Sequence, residues 1–138
     1  MPKARSAEGA NSDHGILTGL LSVATPDVPR LGSFYRDLLG IDPAVTYGDS
    51  YQEFRIPGLR LGIYRSHKPE FQPQLGSVSL CLQVHNLGTL LQQPVLAGIP
   101  ISVVRTEGHG AEVDFLDPDG NRVVLHQPSA LFSELLGL

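Results

Sequence analysis

Ala111-Glu112-Val113-Asp114-Phe115-Leu116-Asp117-Pro118-Asp119-Gly120-Asn121-Arg122-Val123-Val124-Leu125-His126 is the stretch that decides the fold. Val113 and Phe115 alternate with Glu112 and Asp114. Val123 and Leu125 alternate with Arg122, Val124 and His126. A period of two on both sides of a turn predicts a β-hairpin. The turn, Asp117 to Asn121, supplies a proline with φ preset and a glycine that tolerates positive φ.

Upstream of the hairpin the chain repeats itself. Residues 18–25 predict a strand with Leu21 and Val23 on one face, stopped by Pro26. Asp27 is a good N-cap for a helix reaching Leu39, with Val28, Leu31, Phe34, Tyr35 and Leu38 on one face. Pro29 falls in its first turn and Gly40 is placed to end it. Strands follow at 44–47, 51–56 and 60–65. Residues 77–84 then predict another strand, with Val78, Leu80, Leu82 and Val84 opposite Ser77, Ser79, Cys81 and Gln83. Asn86 caps a second helix bearing Leu87, Leu90, Leu91 and Val95, which Pro94 kinks or shortens. Strands at 101–105, 111–116 and 122–126 complete the order.

The chain is therefore β-α-β-β-β twice. Asp27 corresponds to Asn86, Gly40-Ile41 to Gly98-Ile99, and Arg60 through Tyr64 to Arg122 through His126. The expected fold class is α+β, two tandem βαβββ modules forming a cupped mixed β-sheet with helices outside. The modules span 16–66 and 77–128. A disordered arm is expected over 1–15, a proline-bearing linker over 67–76, and a C-terminal helix over 129–138.

Composition narrows the function. The 138 residues are 41% apolar, enough to bury one core. Ten basic against 14 acidic residues give a net charge of −4, with no Lys/Arg cluster to track a phosphate backbone, so no nucleic-acid partner is expected. A single cysteine, Cys81, excludes an intramolecular disulfide and a cysteine-based zinc site. No apolar run approaches the ~20 residues of a membrane span, and no signal-peptide core follows the start. No membrane partner and a cytoplasmic location are the expectations.

The duplicated βαβββ unit, with Phe34-Tyr35-Arg36-Asp37-Leu38-Leu39-Gly40 and Asp117-Pro118-Asp119-Gly120-Asn121, resembles the vicinal-oxygen-chelate superfamily. That group holds glyoxalase I, extradiol dioxygenases and bleomycin-resistance proteins, and the resemblance covers about residues 17–128. It implies a cup with ligands for a metal on the first and last strand of each half. Those positions fall on Leu20, Gly62, Ser79 and Val124, which offer at best one weak hydroxyl donor. A divalent ion needs about three protein donors. No metal and no cofactor are therefore expected. The nearest type is the metal-independent bleomycin-resistance branch, and the resemblance further implies a homodimer that completes the cup.

Strand parity assigns the cup face. Ser22, Glu53, Arg55, Tyr64, Ser79, Gln83, Arg105, Asp114 and His126 are the expected ligand-binding residues, with Ala24, Tyr51, Cys81, Glu112 and Arg122 beside them. Such a face suits a small molecule with charged groups. Leu21, Val23, Phe54, Ile56, Leu61, Ile63, Leu80, Leu82, Val123 and Leu125 are the expected core. His126 with Glu112 or Asp114 is the candidate acid–base pair, against an exposed hairpin pair of no catalytic role. His126 and Glu112 with a third donor are also a candidate metal site. His109 reads as solvated loop, against a ligand-gating role on the Glu107-Gly108-His109-Gly110 turn, His85 as surface, His14 as inert, and Cys81 as a packed thiol. The expected function is small-molecule binding in the cup without a metal. The alternative is a lyase- or dioxygenase-type enzyme of the same superfamily with an offset site.

Overall fold

The computed structural model describes residues 15–138, so the expected arm, His14 included, lies outside the described residues but for Gly15. The first module runs β1 (Leu21–Thr25), α1 (Val28–Leu39), β2 (Val45–Tyr47), β3 (Tyr51–Ile56) and β4 (Leu59–Arg65). The second runs β5 (Ser79–Gln83), α2 (Leu87–Leu91), β6 (Arg105–Glu107), β7 (Gly110–Leu116) and β8 (Arg122–Pro128), with α3 (Ala130–Leu136) after it. Each module closes a four-stranded mixed sheet, ordered β1-β4-β3-β2 and β5-β8-β7-β6. The first and last strands of each module pair in parallel, Val23 beside Ile63 and Leu82 beside Leu125. The α+β class and the repeat are those the sequence predicts. Among the described residues no helix is long and apolar enough to cross a membrane.

One core joins the halves. Val28, Leu31, Ile63, Val113, Val123 and Leu125 are fully buried, and Phe34 of α1 sets its ring edge-on against Phe115 of β7. Burying a side chain of this size is worth about 1.5–3 kcal/mol, so this shared core dominates the favourable side of folding. The caps of α1 act as expected. Asp27 accepts from the Arg30 N–H at 3.1 Å, and Gly40 closes the helix with φ of 70°.

Four features differ from the sequence reading, each for a local reason. β1 starts at Leu21 rather than residue 18, because the ladder to β4 begins at Leu21–Leu61. Thr18 is instead held by the Arg60 guanidinium at 2.7 Å. Leu21, expected in the core, is consequently 40% exposed at the strand end. The α2 helix stops at Leu91 and Pro94 opens a separate 3-10 turn to Leu96, so Leu96 rather than Val95 is the buried residue. The strand expected at 101–105 lies at Arg105–Glu107. Ser102 N–H donates to the Asp114 carbonyl, while Arg105 pairs with Glu112. Val103 and Val104 thus face the single residue Val113, a bulge that turns both outward.

The hairpin turn is a clamp between modules. Asp117, 4% exposed, accepts from the Asp119 and Asn121 N–H groups, the Asn121 side chain and, at 2.6 Å, the Tyr35 hydroxyl of α1. Asp119 accepts from Thr25 Oγ1 at 2.5 Å and pairs with Arg30 at 2.7 Å. Gly120 takes a φ of 90°, as the turn requires. Burial, then the Asp117 charge, pushes the Tyr35 phenol far above its usual range.

Candidate functional site

Register fixes which side chains meet on the polar faces. In the first sheet Ser22, Gly62 and Glu53 share a row; in the second, Cys81, Val124 and Asp114 do. Glu53 and Asp114 are therefore repeat-equivalent, and both are held by arginines. Glu53 accepts from Arg55 at 2.7 Å, Arg60 at 2.9 Å and the Tyr51 hydroxyl at 2.8 Å. Asp114 accepts from Arg122 at 2.6 Å and Arg105 at 3.4 Å. Arg60 and Arg122 are the equivalent residues of the two modules, so the duplication has kept one ion pair in each half.

These contacts set the charges. Hydrogen bonds from Arg60, Arg55 and Tyr51 hold the Glu53 carboxyl at about 2, against a burial effect of opposite sign. Arg122 lowers Asp114 and Arg105 lowers Glu112, again against partial burial. Burial and the hydrogen bond to Glu53 raise the Tyr51 phenol. Both faces therefore carry carboxylates that stay ionised in charge-assisted hydrogen bonds with arginines.

The next row of the second sheet is Gln83, His126, Glu112 and Arg105. His126 is 3% exposed, with Nδ1 at 2.6 Å from Gln83 Oε1 and Nε2 at 2.8 Å from His109 Nδ1. Phe132 of α3 lies edge-on to His126 at 5.7 Å and against His109 at 5.8 Å. The burial of His126 corrects the reading of an exposed hairpin pair, while His109 is the solvent-accessible turn residue the sequence suggests. The turn carries the His109 ring onto its neighbour across the hairpin. Cys81 is likewise no packed thiol: it is exposed, since β5 parity sends it to the polar side. Partial desolvation and the Glu112 charge raise its thiol, which disfavours the nucleophilic thiolate. His85 is exposed, as expected.

The remaining expected residues divide by sheet. Ser22 and Tyr64 border an open cavity of about 280 Å³ with Phe71, Gln72 and Asn121, formed where the linker crosses β1. Ser79 takes a long 3.5 Å contact from Arg122. Asp114 and Arg122 border a depression of about 450 Å³ with Ser102 and Leu116. Among the described residues no polar contact joins Glu53 and Arg55 to the His126 group. Two participants escaped the sequence reading. Arg60 was legible through its equivalence to Arg122, whereas His109, in a turn without period, left only its flanking glycines as a signal.

Residues 18–125 match the model of the Glyoxalase/Bleomycin resistance protein/Dioxygenase superfamily. The chain belongs to this superfamily. Similar solved structures include a glyoxalase/bleomycin resistance protein from Catenulispora acidiphila, 23% identical with a TM-score of 0.62, covering 83% of this chain and 100% of that one. A bleomycin-binding protein from Streptomyces verticillus, in complex with copper(II)-bleomycin, is 21% identical with a TM-score of 0.57, covering 83% and 98%. A lactoylglutathione lyase from Agrobacterium tumefaciens is 16% identical with a TM-score of 0.61, covering 81% and 95%. At these identities the likeness shows the fold alone. No curated protein matches the chain.

The positions that carry metal ligands in metal-dependent members of the superfamily do not fit a metal in this chain. Gly62 pairs with Ser22 in the ladder, and the Leu20 side chain folds over it from just before β1: a Cβ on Gly62 would stand 2.6 Å from Leu20 Cδ1 and 2.9 Å from Tyr51 Oη. The space is filled by a leucine and a phenol. Val124 is buried and apolar, and Ser79 alone offers an oxygen.

Proposed function

We propose that this protein binds a small polar molecule bearing charged groups on its polar sheet faces, by sequestration rather than turnover and without a metal at the superfamily position. The observation that carries the reading is the pairing of arginine-held carboxylates in both modules with a superfamily metal position occupied by Leu20, Gly62, Ser79 and Val124. Ser22, Glu53, Arg55, Tyr64, Ser79, Gln83, Arg105, Asp114 and His126 are the contact residues of this reading. A cytoplasmic homodimer, whose second subunit encloses the faces one chain leaves open, completes it. The neighbours described as bleomycin-binding proteins make bleomycin the first probe. Titration calorimetry should show saturable binding that survives prior treatment with a chelator. No saturable binding of bleomycin, and no co-purifying small molecule in native mass spectra, would remove the reading.

A second reading, a lyase-type enzyme of the same superfamily using His126 and Glu112 as acid and base, is favoured by one observation. The His126 ring is buried and oriented by Gln83, the arrangement a working imidazole needs.

A further inference from the structure

We propose that His109, Glu112 and His126 form a site for one divalent transition metal ion of the zinc type, on the second sheet and offset from the superfamily position. The donor atoms of the three side chains lie within 4.8 Å of one another. Two imidazoles and one carboxylate are the donor set of open zinc sites, with bonds of about 2.0–2.2 Å. Calcium and magnesium take oxygen donors instead, and the two imidazoles disfavour them.

The surroundings prepare the donors. Gln83 Oε1 can only accept, so His126 carries its proton on Nδ1 and leaves the Nε2 lone pair facing His109. Such an outer partner, fixing the tautomer of a ligating histidine, is the usual companion of a metal site. The two ring nitrogens are 2.8 Å apart and share a proton that an ion would replace. Opening that distance by the half-ångström or so a tetrahedral ion needs requires only movement of His109, which sits between Gly108 and Gly110 in the β6–β7 turn. Its carbonyl is pinned to the Ser129 N–H at 2.9 Å, so the ring moves about a fixed backbone. Phe132 packs against both imidazoles, and of the two only His126 is buried, so His109 keeps access to solvent.

Two charges bear on the affinity. Arg105 holds Glu112 Oε2 at 3.0 Å and opposes a cation, while Oε1 has no protein partner among the described residues and is free to ligate. Asp114 accepts from the same Arg105 nitrogen at a longer 3.4 Å and offsets part of its charge. The fourth position is left for water or a ligand atom.

The test is titration of the chelator-stripped full chain with Co²⁺, followed by its visible d–d absorption, and then competition with Zn²⁺. One equivalent of four- or five-coordinate Co²⁺ per chain, displaced by Zn²⁺, is the expected result. His109→Ala, a turn substitution checked by circular dichroism for retained fold, should weaken binding by about 100-fold, since even the loss of an outer partner costs about 10- to 100-fold. Glu112→Gln should weaken it as well, and His67→Ala with His85→Ala should leave it unchanged. Absence of a one-equivalent band, or unaltered affinity in His109→Ala, overturns the inference. A chain that takes the metal but neither bleomycin nor any co-purifying small molecule keeps this inference and loses the proposed function.

Discussion

At the scale of residues, buried carboxylates organise the molecule, and Asp117 is the clearest case. Its two oxygens accept four hydrogen bonds, one of them from Tyr35 of the other module. Tyr35→Phe removes one donor and leaves a buried carboxylate short of a partner. A loss of about 1–3 kcal/mol in urea denaturation is expected. Glu53 gives a prediction with a pH signature. Its folded value of about 2 lies below the unfolded 4.5, so its ionised form stabilises the native state above about 4.5. That contribution fades as pH falls from 4.5 towards 2. Glu53→Gln should therefore be less stable than the parent at neutral pH, with the deficit closing across that window. A deficit constant with pH would contradict it. Glu53, Asp114 and His126 were legible as face residues because a strand alternates with a fixed period. Their partners depend on cross-strand register and, for His109, on the path of a turn, neither of which a sequence period encodes.

At the scale of elements, the helix N-caps, the Gly40 cap of α1 and the hairpin follow from local chemistry and appear where the sequence puts them. The exceptions are places where something non-local overrides the pattern. At residues 101–105 the alternation is right but the ladder is not, because the Ser102 hydroxyl does what a backbone group would otherwise do. It accepts from the Asp114 N–H at 2.9 Å and from Arg105 at 3.2 Å. Ser102→Ala should release the Asp114 amide and loosen the bulge, at a cost of about 1 kcal/mol. Hydrogen exchange at Asp114 should speed up while the β7–β8 ladder amides keep their protection. Equal protection in both proteins would show that the bulge holds without the hydroxyl.

At the scale of the whole molecule, the duplication was legible from spacing, whereas the joint between the halves was not. The two segments that carry the family resemblance, around Tyr35 and Asp117, bond to each other across 82 residues of sequence. They mark the fold because they hold it together, which is why they identify the superfamily and not the ligand. Beyond this joint the chain leaves apolar side chains at the ends and edges of its sheets. Leu20, Val45 and Tyr47 are exposed on the first sheet and Val103, Val104 and Leu116 on the second. The edge strands β2 and β6 are only three residues long, so further strand pairing through them is limited. The proposed homodimer would remove these side chains from water if a second copy covered them. Sedimentation at micromolar concentration should give about twice the 14.9 kDa chain mass. The melting temperature should rise with protein concentration, since a dimer gains stability by mass action. Tyr47→Asp, which places a charge on a 75% exposed ring position at β2, should shift the equilibrium towards the monomer without altering the fold. A single 14.9 kDa species, with a melting temperature independent of concentration, would mean that each chain presents its polar faces alone.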